Sequence, residues 1–273
     1  MTPRLLVPGL QAPGQHIALD PDQTHYLLRV LRLRADDALE LFDGIGGRWS
    51  ARLRIASRHD AVVVLEAPLP PGAESPIRLV LVQCLSAADR MDFTIEKAVE
   101  LGVAAIVPVA SARSVVRLDD DRAARRLAHW RRIVAAAAMQ CGRDRLPEIA
   151  APTTLADWLA TRDARTPGWV LAPAAPVALA SAAARLGSAT RDAVLLVGPE
   201  SGLGDAELAA ACNTGLVAAH LGPRVLRTET AGLAALAVLQ ARLGDLGDPA
   251  DAAAPGEPAE RGDPGTPPQG ASV

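Results

Sequence analysis

The sequence predicts an α/β protein in two parts, a small β-rich domain followed by a larger one built on a parallel sheet with helices on its faces. Three observations predict it. From Ile77 onward, short apolar runs alternate with segments of helical spacing, the pattern of strand–helix–strand units. Before Pro68 the runs are short, closely spaced and punctuated by glycine turns, as in a small barrel. Between the two, Pro68-Leu69-Pro70-Pro71-Gly72-Ala73-Glu74-Ser75-Pro76 carries four prolines in nine residues, which denies it both helix and central strand. The domains placed on this pattern are 1–72 and 73–243. Residues 244–273, rich in Pro, Gly, Ala, Asp and Glu, form a tail with too little apolar surface to order itself.

In the first domain, Arg4–Val7 and His16–Leu19 read as edge strands. Asp20-Pro21-Asp22-Gln23 then supplies an N-cap, a first-turn proline and a reciprocal Gln, opening a helix through Arg32. Ala38–Phe42, Arg48–Ile55 and Ala61–Glu66 follow as strands, turned by Asp43-Gly44 and Gly46-Gly47. The even spacing of Arg48, Arg52 and Arg54 puts them on one face, which suits either an RNA contact or the wet side of a sheet.

In the second domain, an apolar strand at Ile77–Leu85 leads to a helix from about Asp89, through Met91, Ile95, Ala98, Val99 and Leu101, closed at Gly102. A strand at Ala104–Val109 precedes a helix from about Arg122 to Cys141. Asp119, Asp120 and Asp121 suit the positive end of its dipole and Gly142 its stop. Leu127, Trp130, Ile133, Val134, Ala137 and Cys141 recur at helical spacing on its core side, with Arg122, Arg125, Arg126, His129 and Arg132 largely opposite. A weaker strand at Leu146–Ala150, a helix at Thr154–Arg162, a strand at Trp169–Ala172 and an Ala-rich helix from about Pro176 to Arg185 follow.

The last part repeats one arrangement twice. Val194–Val197 gives way to Gly198-Pro199-Glu200-Ser201-Gly202-Leu203-Gly204 and a helix from Asp205. Leu216–Leu221 gives way to Gly222-Pro223-Arg224-Val225-Leu226-Arg227 and a helix from Thr228. Ligands of open α/β sheets sit outside the carboxyl ends of the strands, so these neighbouring loops form the candidate site. Their glycines allow close approach of main chain to a flat ligand, and equally they allow tight structural turns.

Several classes are excluded or weakened. No run approaches the roughly 18 unbroken apolar residues of a membrane span, and the first residues lack the apolar core of a signal peptide, so a cytoplasmic protein without a membrane partner is expected. Three scattered cysteines with no CxxC pair, and five histidines with no HxxxH spacing, argue against disulfides and against a metal site. The stretch Gln83-Cys84-Leu85-Ser86-Ala87-Ala88-Asp89 stands where a dinucleotide fold would carry GxGxxG, which disfavours a nicotinamide oxidoreductase; GxxxxGK[ST] and GxSxG are also absent. The net charge of −3 hides an uneven distribution. From Asp245 on, six acids face one arginine, a balance of −5 that leaves +2 on residues 1–244. Between Arg113 and Arg145 nine arginines face four aspartates, a local +5 that suits either a polyanion or a solvated helix face.

Four ordered segments carry a family resemblance: Asp89 to Gly102 (DRMDFTIEKAVELG), Trp130 through Gln140-Cys141-Gly142-Arg143, Gly198 to Gly202 (GPESG) and Leu221 to Ala231 (LGPRVLRTETA). Together they resemble the RsmE family, the small-subunit ribosomal RNA uridine-N3 methyltransferases of the SPOUT class, over residues 1 to about 243. The resemblance implies an N-terminal PUA-like RNA-binding β-barrel and a C-terminal SPOUT α/β domain with a deep trefoil knot. It further implies S-adenosylmethionine as methyl donor, 16S rRNA of the small subunit as substrate, and a homodimer. Ser201 stands where the family's GPEGG has glycine; if that position needs positive φ, the serine is strained, with Gly202 and Gly204 left to relieve it. Ala112 stands where the family often has glutamate.

The implied chemistry assigns roles. Uridine N3 becomes nucleophilic only as its imide proton leaves, so a base must take the proton and a cation or fixed donor must hold the resulting anion. Arg143 and Arg227 are the candidates for holding the anionic pyrimidine or a nearby phosphate, and Glu200 and Glu229 for the base or for orienting an arginine. Main-chain groups of Leu171, Gly198, Glu200, Leu221, Gly222 and Leu226 are expected at the donor, with Pro199 and Gly202 shaping the loop and Thr228 and Thr230 offering polar contacts. N3 attack needs no covalent cysteine, so Cys141 is read as core. Arg4, Arg29, Arg32, Arg48, Arg113, Arg125 and Arg132 are the candidate RNA contacts. The alternative is a non-catalytic RNA-binding or ribosome-assembly protein.

Overall fold

The computed structural model describes residues 2–57, 59–72, 74–114, 120–187 and 190–247. Asp119 and most of the tail placed at 244–273 therefore lie outside the described residues.

The first domain is a five-stranded sheet of β1 (Arg4–Leu6), β2 (His16–Ala18), β3 (Ala38–Phe42), β4 (Arg48–Ser57) and β5 (Asp60–Pro68), in the order β1-β3-β4-β5-β2. All its pairs are antiparallel except β1 with β3. Alternation along β4 sends Ala51 and Leu53 inward and Arg52 and Arg54 outward, so the inner face joins Leu39, Leu41, Val63 and Leu65 in one core. Helix α1 (Pro21–His25) opens with the expected capping box. The Asp20 carboxylate accepts from Gln23 N at 2.7 Å, the Gln23 side-chain oxygen accepts from Asp20 N at 3.1 Å, and Gln23 Nε2 also donates to the Leu6 carbonyl, tying the helix to β1. The α-helix does not run to Arg32. It widens into a π turn over Tyr26–Val30, which keeps Leu27 in the core, and Arg32 at φ 56° ends it, since a right-handed helix cannot pass through a left-handed residue.

The second domain alternates β6 (Arg78–Cys84), α2 (Ala88–Glu100), β7 (Ala105–Ala110), α3 (Asp120–Cys141), β8 (Glu148–Ile149), β9 (Thr153–Thr154), α4 (Leu155–Thr161), β10 (Gly168–Leu171), α5 (Leu179–Ala183), β11 (Asp192–Val197), α6 (Asp205–Asn213), β12 (Val217–Ala219) and α7 (Thr228–Leu243). The sheet order is β12-β10-β11-β6-β7-β8, with β9 also on β7, and every pair is parallel. Its strands are continuous apolar runs because both faces are covered. Leu79, Leu81 and Leu195 pack with Met91, Ile95, Trp130, Leu236 and Leu239 on the face of α2, α3 and α7; Val82, Val170 and Leu196 pack with Leu155, Leu159 and Ala211 on the face of α4 and α6. The Ala-rich helix is shorter than the predicted 176–185. Val177 and Leu179 are held on both sides of His220, with His220 N donating to the Val177 carbonyl and Leu179 N to that of His220, each at 2.9 Å. Those bonds keep the segment extended until Leu179.

The two domains are fastened through the turn after α3. Arg4 Nε donates to Glu40 at 2.6 Å and its Nη2 to Asp144 at 2.5 Å, while the guanidinium stands 4.7 Å over the Phe42 ring. The second Asp144 oxygen accepts from Gly72 N in the linker, and Gly46 N and Leu146 N bind across to the Asp144 and Gly44 carbonyls. With side-chain exposures of 9% for Arg4 and 2% for Asp144, removing one partner strands a buried charge. Asp144→Ala is expected to lower the unfolding free energy by about 3 kcal/mol in urea titrations. Arg4→Ala combined with Asp144→Ala should cost clearly less than the sum of the two singles.

Candidate active site

Strands β10, β11 and β12 are neighbours, and the chain leaves their carboxyl ends through three loops that enclose one cleft of ≈ 640 Å³ counted out to its mouth, within the range of small-molecule sites. Leu171 to Pro173 form one wall, Val197 to Glu200 with Gly202 a second, and Ala219 to Gly222 with Arg224 to Leu226 the third; Thr228 and Ala231, at the start of α7, close the floor. The two Gly-Pro loops thus meet at one site.

Each loop has its own internal support. After β11, Gly202 N donates to the Pro199 carbonyl at 2.8 Å and Gly202 takes φ 72°. The positive φ falls on Gly202 and not on Ser201, so the serine carries no backbone strain. Its hydroxyl instead donates to the Arg113 carbonyl at 3.3 Å, and Arg113 Nη1 reaches the Ser201 carbonyl at 3.5 Å. Glu207 adds a second tie, accepting from Ala112 N at 2.8 Å and Gly204 N at 3.1 Å. A side chain at Gly198 would come within 3.1 Å of Leu203 N, so anything larger than glycine would have to push the Gly202-Leu203 backbone outward by a few tenths of an ångström. After β12, Gly222 at φ 102° donates to His220 Nδ1 at 2.9 Å, which leaves the ring proton of the neutral tautomer on Nε2. The loops are joined by Thr228, whose hydroxyl donates to the Gly198 carbonyl at 2.6 Å and accepts from Gln83 Nε2 at 2.9 Å.

Nine of the ten residues nominated for the donor line this cleft: Leu171, Gly198, Pro199, Glu200, Gly202, Leu221, Gly222, Leu226 and Thr228. Thr230 is exposed and does not. Sequence reading missed Ala172, Pro173, Val197, Ala219 and Ala231, which carry no chemical signature. It also missed His220, Arg224 and Val225, which adjacency to the Gly222 turn was enough to suggest.

The charged candidates separate. Glu200 is committed to the start of α2, accepting from Ala87 N and Arg90 Nη1, both at 3.2 Å. Glu229, in the first turn of α7, has Oε2 buried with no hydrogen-bond partner among the described residues. Arg224 and Arg227 are exposed at the outer loop. Arg143 is not part of the cleft. Its Nε and Nη2 bind Glu74 at 3.1 and 2.8 Å, and its Nη1 binds the Val99 and Val103 carbonyls at 3.2 and 2.6 Å, so it ties the linker to the end of α2 with all but one of its N–H donors committed there. Arg4 is likewise spent in the domain junction, and Arg48 is paired with Glu40 at 2.9 Å. Arg52 pairs with Glu66 and Arg54 with Asp36, which makes that face of β4 a set of ion pairs. Arg29, Arg32, Arg125 and Arg132 are exposed, while Arg113 is the residue clamped to Ser201.

Comparison with known proteins agrees with this geometry. Residues 73–240 match the model of the RNA methyltransferase domain, and residues 19–66 that of the RNA methyltransferase PUA domain. Ribosomal RNA small subunit methyltransferase E of Buchnera aphidicola is 30% identical over 234 residues, 86% of this chain and 94% of that protein. The chain belongs to the ribosomal RNA small subunit methyltransferase E family. The crystal structure of a family member from Neisseria gonorrhoeae, bound to S-adenosyl methionine, is 37% identical and superposes with a TM-score of 0.83 over 90% of this chain and 99% of that one. A putative methyltransferase from Legionella pneumophila, in complex with the cofactor SAM, gives 33% and 0.83 over 90% of this chain and 100% of that one. The family's PUA-plus-α/β plan is therefore the plan of this chain.

None of the three cysteines lines the cleft. Burial pushes the Cys84 thiol up to about 12, against a smaller opposing effect of its Ser111 hydrogen bond, and burial also raises Cys141; Cys212 is exposed. Among the described residues no His, Cys, Asp and Glu side chains gather as a metal site, and no helix is long and apolar enough to cross a membrane. Because the thiolate is the nucleophile, an aromatic disulfide reagent at pH 8 should label Cys212 rapidly and leave Cys84 untouched until the chain unfolds. The raised thiol binds its proton more tightly in the folded state, so its contribution to stability holds below about pH 8.5, the unfolded thiol value. It falls as pH rises toward about 12, a loss a Cys84→Ala variant should escape.

Proposed function

We propose that the chain transfers a methyl group from S-adenosylmethionine to N3 of one uridine in 16S ribosomal RNA of the small subunit, in the cytoplasm and as a homodimer. The observation that carries this reading is the single cleft made by both Gly-Pro loops at the carboxyl ends of β10, β11 and β12. It is supported by family relatives whose names specify small-subunit rRNA and whose crystal structures hold S-adenosylmethionine. In this reading residues 1–72 are a PUA-like RNA-binding barrel, residues 73–243 a SPOUT domain threaded as a deep trefoil knot, and 244–273 an acidic tail.

The cleft suits such a donor. Its walls are mainly apolar side chains and main chain, with glycines at Gly198, Gly202 and Gly222 where a flat ring needs the backbone close. When bound, S-adenosylmethionine supplies an already activated methyl group. The chain's own task is then alignment, proton removal and charge stabilisation. Leu171, Leu221 and Leu226 hold the rings, while Glu200 with Arg90 keeps the entrance loop in place. Of the two acids, Glu229 has the uncommitted oxygen and is the candidate base. Arg227 and Arg224, at the outer loop, hold the uridine anion or an adjacent phosphate. A base inside a folded rRNA must be exposed or flipped to reach the cleft, and the arginines of α3 position the strand without reading it.

Labelled methyl transfer to small ribosomal subunits and to naked rRNA, followed by nucleoside analysis, tests the reading. It predicts 3-methyluridine and a reverse-transcription stop; RNA binding with no transfer would instead establish the non-catalytic reading. Glu229→Gln should lower kcat by about 100-fold with little change in donor affinity. Arg143→Ala should lower thermal stability and leave kcat of the folded fraction near that of the parent. Arg125→Ala and Arg132→Ala should each weaken RNA binding irrespective of sequence and reduce the salt slope by about 1.

A further inference from the structure

Gln83 is the one polar side chain set into the apolar run of β6, and it is fully buried. It faces the same side as Leu79 and Leu81, toward α7, in register with Val197 of β11 and Pro108 of β7. Its Nε2 donates to Thr228 Oγ1 at 2.9 Å and to the Cys84 carbonyl at 3.2 Å, while Oε1 has no partner. Gly232 lets α7 approach this point, since a side chain there would stand 3.1 Å from Oε1. An apolar residue would fill the same space without leaving an orphaned oxygen in the core, so a requirement other than packing accounts for the amide.

That requirement is visible in the direction of one proton. The Thr228 hydroxyl has a single hydrogen, and Thr228 lines the cleft. An N–H arriving from Gln83 occupies its lone pair and turns the hydrogen to the Gly198 carbonyl at 2.6 Å. The opposite orientation of the amide would present an acceptor to Thr228, draw the hydroxyl proton away from Gly198 and leave the Cys84 carbonyl without its donor.

We propose that Gln83 is a positioning residue for donor binding: as an obligate hydrogen-bond donor it fixes the Thr228 hydroxyl and so holds the Gly198–Gly202 loop against the start of α7. The donor's identity rests on the proposed function, whereas the relay itself does not.

Gln83→Glu tests the polarity of the relay with almost no change of shape. Ionised, the new carboxylate can only accept, so it reverses the Thr228 hydroxyl; protonated, it can donate as the amide does. The charged groups on the elements packed around it are Arg78 at the far end of β6, Asp192 at the start of β11, Arg242 at the end of α7, and Glu200 and Glu229 near the cleft; Cys84 faces the other side of the sheet. Burial favours the protonated form, and a buried glutamate titrates as high as about 8–9, so the transition is sought between about pH 5.5 and 9. At pH 9 the variant should bind S-adenosylmethionine at least 10-fold more weakly than the parent by calorimetry. At saturating donor, kcat should change by less than that factor. Affinity should return toward the parent's as pH falls, while the parent's ratio to Gln83→Leu stays constant. Hydrogen exchange at residues 198–204, measured without ligand, should quicken in Gln83→Glu at pH 9, in Gln83→Leu and in Thr228→Val, with no further gain on combining Gln83→Leu with Thr228→Val.

The proposal is overturned if loop exchange in the folded variants matches the parent. It is also overturned if Gln83→Glu loses donor affinity equally at every pH, as a mere packing defect would. If Gln83→Glu fails to fold at pH 9, the exchange of Gln83→Leu and Thr228→Val decides. Failure of the parent protein to bind S-adenosylmethionine would sink the proposed function and leave the relay to the exchange measurement.

Discussion

One hydroxyl holds the site together. Thr228 begins α7, Gly198 follows β11 directly, and the 2.6 Å bond between them closes a gap of thirty residues of chain at the carboxyl edge of the sheet. Without it the two Gly-Pro loops would be separate turns; with it they are two walls of one cleft. Everything around the bond reinforces the same contact. Gly232 admits α7 to the sheet, Gln83 orients the proton, and the Pro199–Gly202 turn fixes where the Gly198 carbonyl lies. Buried polar links of this kind are strong only when their members are satisfied, which is why the orphaned Gln83 oxygen stands out.

A second fastening works on a larger scale. Arg4, Asp144, Arg143 and Glu74 tie the N-terminal sheet, the proline-rich linker and the end of α3 into one unit. Arg4 also lends a donor to the Ala138 and Arg143 carbonyls, satisfying the exposed end of a 22-residue helix. The same helix carries exposed Arg125 and Arg132 on its outer face. The basic face of α3 is therefore held in a fixed relation to the first domain, as a surface that engages one nucleic acid with both parts requires.

Much of the fold could be read from residues, because strands buried on both faces are continuous apolar runs and the linker prolines exclude structure. The position of the cleft could be read too: glycines beside prolines after two successive strands marked two of its three walls, and the family resemblance supplied the donor residues, nine of which line it. What the residues did not show was the partner each single charge would take. Arg143 lay in a segment that carries the family resemblance, but whether a guanidinium faces a ligand or a carboxylate is settled by residues far away, here Glu74 across 69 positions. Arg4 met Asp144 across 140 positions in the same way. The π turn at Tyr26–Val30 was equally hidden, since its amphipathic spacing is that of an ordinary helix until the last turn must place both Leu27 and Arg32. Ser201 is tolerated as expected, and the reason is local: the turn puts positive φ one residue later, on Gly202.

The charges around the cleft follow from what the proposed reaction must do. A cationic donor and a neutral imide enter, and an anion forms between them, so a fixed negative group at the donor must not be strong enough to oppose deprotonation of the base. Glu200 meets this condition by being shared with Arg90 and the amide of Ala87, which spreads its charge over the start of α2. Glu229 is next to Thr228 in sequence but does not line the cleft; its Oε2 is buried without a partner among the described residues, and its place in the first turn of α7 puts it at the positive end of that helix dipole. Arg224 lines the cleft and Arg227 lies just before α7 on the same loop, both exposed. An acid in the cleft wall that is shared with Arg90, and exposed arginines on the loop before α7, are the arrangement that an anion in the acceptor's place would require.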